Sequence, residues 1–112
     1  METQAIAKNT GVSADKMRLL VNMVRGKKVD EALTILRFTP TPNASVLAKV
    51  IKSAAANAEN MYQVPSSELK IVRIYANEAP RLKRFRAVSR GRAFHILKRS
   101  SHITVVVSGQ ES

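Results

Sequence analysis

Apolar residues at Met17, Leu20, Val21 and Val24 recur at i, i+3, i+4 and i+7, the spacing that places them on one face of a helix. Ser13 stands ahead of this face as a capping-type residue, and Gly26 behind it can end a helix in the left-handed conformation, so a first helix is predicted over about 14–25. In the next unit, VDEALTILRFTPTP, Asp30 and Glu31 sit where a helix N-terminus favours anions. Pro40 and Pro42 fall just beyond its end, which predicts a short second helix over about 30–37. A third and longest helix opens near Asn43 and covers about 44–60: Leu47, Val50, Ile51, Ala54 and Ala58 share one face, while Lys49, Lys52 and Asn57 fall elsewhere on the wheel. The run SAAANA inside it reads first as helix propensity and close packing. Its small side chains would also let another backbone or a ribose come near.

After the loop YQVPSS the period changes. Leu69–Ala76, LKIVRIYA, and Ile103–Val107, ITVVV, are rich in β-branched and aromatic residues and predict two strands, and TQAIAK near the start suits a minor third one. If 71–76 and 103–107 pair antiparallel, centre to centre, the turn between them falls near residue 89, in SRG, where Gly91 can take the positive φ of a hairpin turn. The intervening chain is then the distal part of one long β-hairpin. From Glu78 to Ser89 it would reach roughly 35 Å, against a body about 32 Å across. Leu82, Phe85, Val88, Phe94, Ile96 and Leu97 do not alternate along it, so the arm has no face for a core of its own and must be ordered by something outside the protein.

Charge says what that something is. The 112 residues form one domain, with 19 Lys and Arg against 8 Asp and Glu and a formal charge of +11. Residues 81–99 hold 8 of those bases and no acid, leaving +3 on the other 93 residues. Arg outnumbers Lys six to two there, which suits bidentate pairing with phosphates and stacking on bases, and Phe85 and Phe94 could stack or fill gaps between nucleotides. Two rival readings are a merely solvated charged loop and a basic amphipathic helix, the latter suggested by Leu82, Phe85 and Val88 at every third residue. The first is weak for so many bases between strong strands, and Ser89, Gly91 and the flanking strands oppose the second. A second cluster, RGKK at Arg25–Lys28, either offsets the negative end of the first helix or clamps a phosphate; Lys16 and Arg18 one turn upstream tip the balance towards contact.

Other chemistries find little support. There is no cysteine, so neither a disulfide framework nor a zinc knuckle is expected, and no metal or other cofactor is assigned. His95 and His102 lack an acid nearby in sequence to orient an imidazole, Ser100 and Ser101 beside His102 alternate in direction on an extended chain, and neither paired carboxylates nor a Gly-rich phosphate loop occurs. No catalytic residue is assigned and no small-molecule substrate is expected. The start METQAIAKNTG lacks a signal-type apolar run and no segment is apolar enough to span a bilayer, so the chain is expected to be soluble, cytosolic or organellar, with no membrane partner.

The motifs KMRLLVNMVRGKKVDEAL at 16–33, SAAANAEN at 53–60 and NEAPRLKRFRAVSRGRAFHILKRSSHITVVVS at 77–108, in that order and spacing, resemble the bacterial-type family of large-subunit ribosomal protein twenty-two. The resemblance covers nearly the whole chain. It implies an α+β fold, three helices on a small three-stranded antiparallel sheet with a long protruding β-hairpin at about 78–102, seated near the peptide exit of the large subunit. It implies ribosomal RNA and neighbouring large-subunit proteins as partners, a role in RNA assembly, a cytoplasmic or plastid ribosome as location, and a hairpin lining the nascent-peptide tunnel. Carried over by position, Lys16, Arg18, Arg25, Lys27 and Lys28 would hold the body on RNA, and Arg81, Lys83, Arg84, Lys98 and Arg99 would flank the arm. Arg84, Phe85, Arg86, Ala87, Val88, Ser89, Arg90, Gly91 and Arg92 would form the tip, closest to the nascent polypeptide. Where the family usually has Pro-Arg in the tip, this chain has Ala87-Val88, so a rigid turn element and one charge are missing, a charge Arg86 could replace. The alternative from another class is a free nucleic-acid chaperone or architectural DNA-bending protein, for which Val88 is a poor wedge.

Overall fold

The structure, a computed structural model, describes residues 2–8, 10–78, 82–87, 93–98 and 100–109, with 82–87 and 93–98 described as backbone. Strand β1 (Glu2–Ala7) leads into α1 (Ala14–Val24), α2 (Val29–Arg37) and α3 (Pro42–Tyr62). A short 3-10 turn at Ser66–Glu68 precedes β2 (Leu69–Glu78), β3 (Leu82–Ala87), β4 (Ala93–Lys98) and β5 (Ser101–Gly109). The fold is α+β: an antiparallel sheet in the order β1-β5-β2, with the helices on one face, and a separate two-stranded ladder of β3 and β4.

The helical faces read from spacing are the buried ones. Met17, Leu20, Val21 and Val24 of α1 and Leu47, Val50, Ile51, Ala54 and Ala58 of α3 join the core with Leu69, Ile71, Ile74, Ile103, Val105 and Val107 from the sheet. Helix α3 packs on β1 and β5 and against α2, while α1 packs on β2. Ala54, Ala55 and Ala58 are all buried, so the alanine run serves close approach of helix to sheet.

Helix ends add detail to the reading from spacing. Ser13 occupies the cap position of α1, but its side chain makes no capping hydrogen bond. Pro42 lies beyond the second helix, as expected, and is also the first residue of the third, which was expected to open near Asn43: Thr41 caps α3, its hydroxyl accepting the Asn43 N–H at 3.3 Å, and proline fits a first turn whose N–H groups have no helical partner. Gly26 does have positive φ, +76°, one residue beyond Arg25 at φ −61°, ψ 129°. With Lys27 N–H donating to Val24 O at 3.1 Å, α1 ends in a type II turn, which needs glycine at its third position.

The hairpin register follows the expectation from strand centres. Paired residue numbers in β2 and β5 sum to 178 up to Ile71↔Val107 and to 179 from Arg73↔Val106, and in β3 and β4 they sum to 180, as in Leu82↔Lys98. The change within β2 is a bulge at Val72, which lets Leu69 and Ile71 on one side and Ile74 and Ala76 on the other all face the core. The turn expected at SRG lies outside the described residues. The chain measures 68 × 28 × 17 Å with a radius of gyration of 17.1 Å. A compact chain of this length would have about 13 Å.

Candidate nucleic-acid interface

Strand β2 is an edge strand, and an unpaired edge invites other chains. Here it is covered. Ile71 N–H donates to Lys27 O at 3.0 Å, and Lys28 forms an isolated antiparallel bridge with Lys70. Further along, Arg25 Nη2 donates to Ile74 O at 3.2 Å and Arg18 Nε donates to Ala76 O at 3.2 Å. The turn at Gly26 brings RGKK alongside β2, and α1 continues along the same edge. Arg18 and Arg25, read from sequence as body contacts to RNA, therefore also satisfy the edge carbonyls of the strand that leads into the basic arm.

Most of their donors stay available. A guanidinium has five N–H groups; Arg25 uses one on the strand, and Arg18 uses one there and another on Asp15 Oδ1 at 3.4 Å, an exposed i, i+3 pair of small energetic worth. Lys16, Lys27 and Lys28 are exposed, and among the described residues their ammonium groups make no hydrogen bond. The structure thus brings Arg18, Arg25, Lys27 and Lys28 to one border of the body, and Lys16 to the exposed side of α1.

Of the arm, Lys83, Arg84, Phe85, Arg86 and Ala87 lie on β3 and Lys98 on β4. Arg84 pairs with Ile96, Phe85 with His95 and Arg86 with Phe94 in the ladder. The side chains of these strands, and Arg81, Val88, Ser89, Arg90, Gly91, Arg92 and Arg99 altogether, lie outside the described residues.

With 64% identity over 108 residues, covering 96% of this chain and 99% of the relative, the chain is similar to "Large ribosomal subunit protein uL22" of Dehalococcoides mccartyi. It is 50% identical over 107 residues to the protein of the same name from Clostridium novyi, covering 96% of each, and 47% identical over 111 residues to that of Clostridium acetobutylicum, covering 99% of this chain and all of the relative. The family described as ribosomal protein L22p/L17e matches residues 5–108. The chain belongs to this family.

The family is non-enzymatic, and in this chain Ser100 and Ser101 serve the architecture. Ser101 is buried and its Oγ lies 2.9 Å from Thr10 Oγ1, Thr10 N–H donates to Ser101 O at 3.1 Å, and Ser100 Oγ accepts the Gly11 N–H at 2.9 Å. They pin the approach to α1 onto the start of β5. Among the described residues no group of three or more His, Asp or Glu could hold a metal, and no helix is long and apolar enough to cross a membrane. A cleft of about 620 Å³ between α2 and α3 is lined by Thr34, Thr39, Thr41 and Ser45, but their hydroxyls are already engaged with local backbone.

Sequence reasoning passed over Tyr75. It is 42% exposed between the buried Ile74 and Ala76, on the sheet face away from the helices. The signal was its outward phase in a strand whose neighbours face the core.

Proposed function

We propose that this protein is a structural constituent of the large ribosomal subunit, where its body grips ribosomal RNA and its basic hairpin lines the peptide exit tunnel, with the tip beside the nascent polypeptide. One observation carries the reading: the densest charge of the chain, 8 bases without an acid in residues 81–99, lies in the segment whose described part, 82–87 and 93–98, is a two-stranded ladder separate from the sheet of the body. A segment whose apolar residues do not alternate in sequence and that carries this charge is suited to phosphate on both sides. Family membership supplies the ribosome and its cytoplasmic setting, and neighbouring large-subunit proteins as further partners.

Lys16, Lys27 and Lys28 serve as anchors of the body and Arg18 and Arg25 as anchors that also hold β2. Arg81, Lys83, Arg84, Lys98 and Arg99 flank the arm, and Arg84 to Arg92 form its tunnel end. The test separates the two ends. Arg86, Arg90 and Arg92 replaced together by Ala should leave incorporation into large subunits intact, because seating rests on many distributed contacts, and should alter nascent-chain pausing. Lys16, Lys27 and Lys28 replaced together by Ala should lower incorporation instead; these three are chosen because none holds the β2 edge through its side chain. Quantitative mass spectrometry of purified subunits and a translation-pausing assay give the two readouts. Failure of the tip variant to incorporate, with normal incorporation of the body variant, would reverse the assignment.

A further inference from the structure

The two edge arginines bracket a single outward-facing residue. Ile74 O holds Arg25 and Ala76 O holds Arg18, and Tyr75 lies between them with its side chain on the open face of the sheet. Two residues of strand separate the carbonyls by about 6.7 Å, close to the spacing of successive phosphates on a nucleic-acid strand, so the two guanidinium groups are anchored on the strand edge one residue before and one residue after Tyr75. Across the sheet Tyr75 pairs with Thr104, and Thr104 with Ile6, which is 50% exposed. Thr104 and Val106 form a closed floor at 8% and 5% exposure. The aromatic ring thus stands at the rim of a flat face, beside cationic groups already oriented by the backbone.

We propose that this rim is a nucleobase-stacking site, in which the Tyr75 ring carries one unpaired base of an RNA strand and Arg18 and Arg25 hold the phosphates on either side of it. The proposal rests on the RNA-binding reading above and adds to it a place and a mode of contact. An aromatic ring offers every base a π-face, and guanidinium groups fixed by a first hydrogen bond lose little further freedom on meeting a phosphate. The charge around the ring favours a polyanion over an apolar protein surface. Lys70 and Arg73 stand on the same strand, and Glu2, the acid facing them, is paired with Arg73 at 2.7 Å.

Tyrosine emission tests this directly, because the chain has two tyrosines and no tryptophan. In a Tyr62→Phe variant Tyr75 is the sole emitter. Octaadenylate should quench it, and inorganic polyphosphate of similar length, which offers charge without bases, should bind without quenching. In the otherwise unchanged chain Tyr75→Ala should lower octaadenylate affinity about 5- to 100-fold, Tyr75→Phe should preserve it, and neither should change polyphosphate affinity. Octaadenylate binding with no quenching and no loss in Tyr75→Ala overturns the proposal. If octaadenylate fails to bind while large-subunit ribosomal RNA is retained in filter binding, the stacking site is wrong and the RNA reading stands; if neither is retained, both fall. Unchanged octaadenylate affinity, together with loss of a neighbouring protein from subunits assembled with Tyr75→Ala, would assign the face to a protein and likewise overturn the proposal.

Discussion

Under the function proposed above, Arg25 has two jobs that a single substitution can separate from the one job of Lys27. Arg25→Ala removes the donor held by Ile74 O at 3.2 Å on the border of α1 and β2. A hydrogen bond from a charged donor contributes about 1.5–3 kcal/mol when well buried. Arg25 itself is exposed, and water can reach the freed carbonyl, so the expected cost is about 1 kcal/mol, or a fall in melting temperature of about 5 °C for a domain of this size. If Arg25 holds a phosphate as proposed, the same variant should reduce the slope of log affinity against log salt for structured RNA by about 0.7–0.9. Lys27→Ala should show the slope change without the melting change, since its ammonium makes no hydrogen bond among the described residues. Thermal unfolding by circular dichroism and filter binding across a salt series measure both quantities. Equal melting temperatures for Arg25→Ala and Lys27→Ala would refute the edge role, and an unchanged salt slope in both would refute the phosphate role.

Gly26→Ala should cost about 1–2 kcal/mol in urea unfolding, because a built Cβ there meets nothing within 4 Å and the whole penalty comes from φ +76°. Gly26→Asn, better tolerated at positive φ, should cost clearly less, and equal losses would point to a cause other than backbone conformation. Thr3 is 6% exposed on the core face of β1 and its buried hydroxyl has no partner among the described residues, so Thr3→Val should stabilise the chain by about 1 kcal/mol; a loss of stability would show that the hydroxyl is satisfied in solution.

Residues close in sequence announced the elements, and residues distant in sequence built the interface. The helices were legible because burial imposes a 3.6-residue period on α1 and α3, and Gly26 was legible as the end of α1 because few other residues tolerate its φ. The hairpin register was legible too: two strands joined by a hairpin must pair about a common midpoint, so the centres of 71–76 and 103–107 placed it to within about one residue of the observed ladders. The location of the charge needed no structure at all. Pro42 lay beyond the second helix as expected, and its further place in the first turn of the third was decided by the Thr41 cap. The contacts of Arg18 with Ala76 O and of Arg25 with Ile74 O join residues 58 and 49 apart, and those of Thr10 with Ser101 join residues 91 apart. No local period encodes such pairs. They depended on β5 taking the centre of the sheet, which left β2 at an edge with carbonyls to be satisfied and α1 lying beside them. That placement, and the bulge at Val72 that keeps both halves of β2 facing the core, turned two arginines read as RNA contacts into supports of the strand that bears Tyr75.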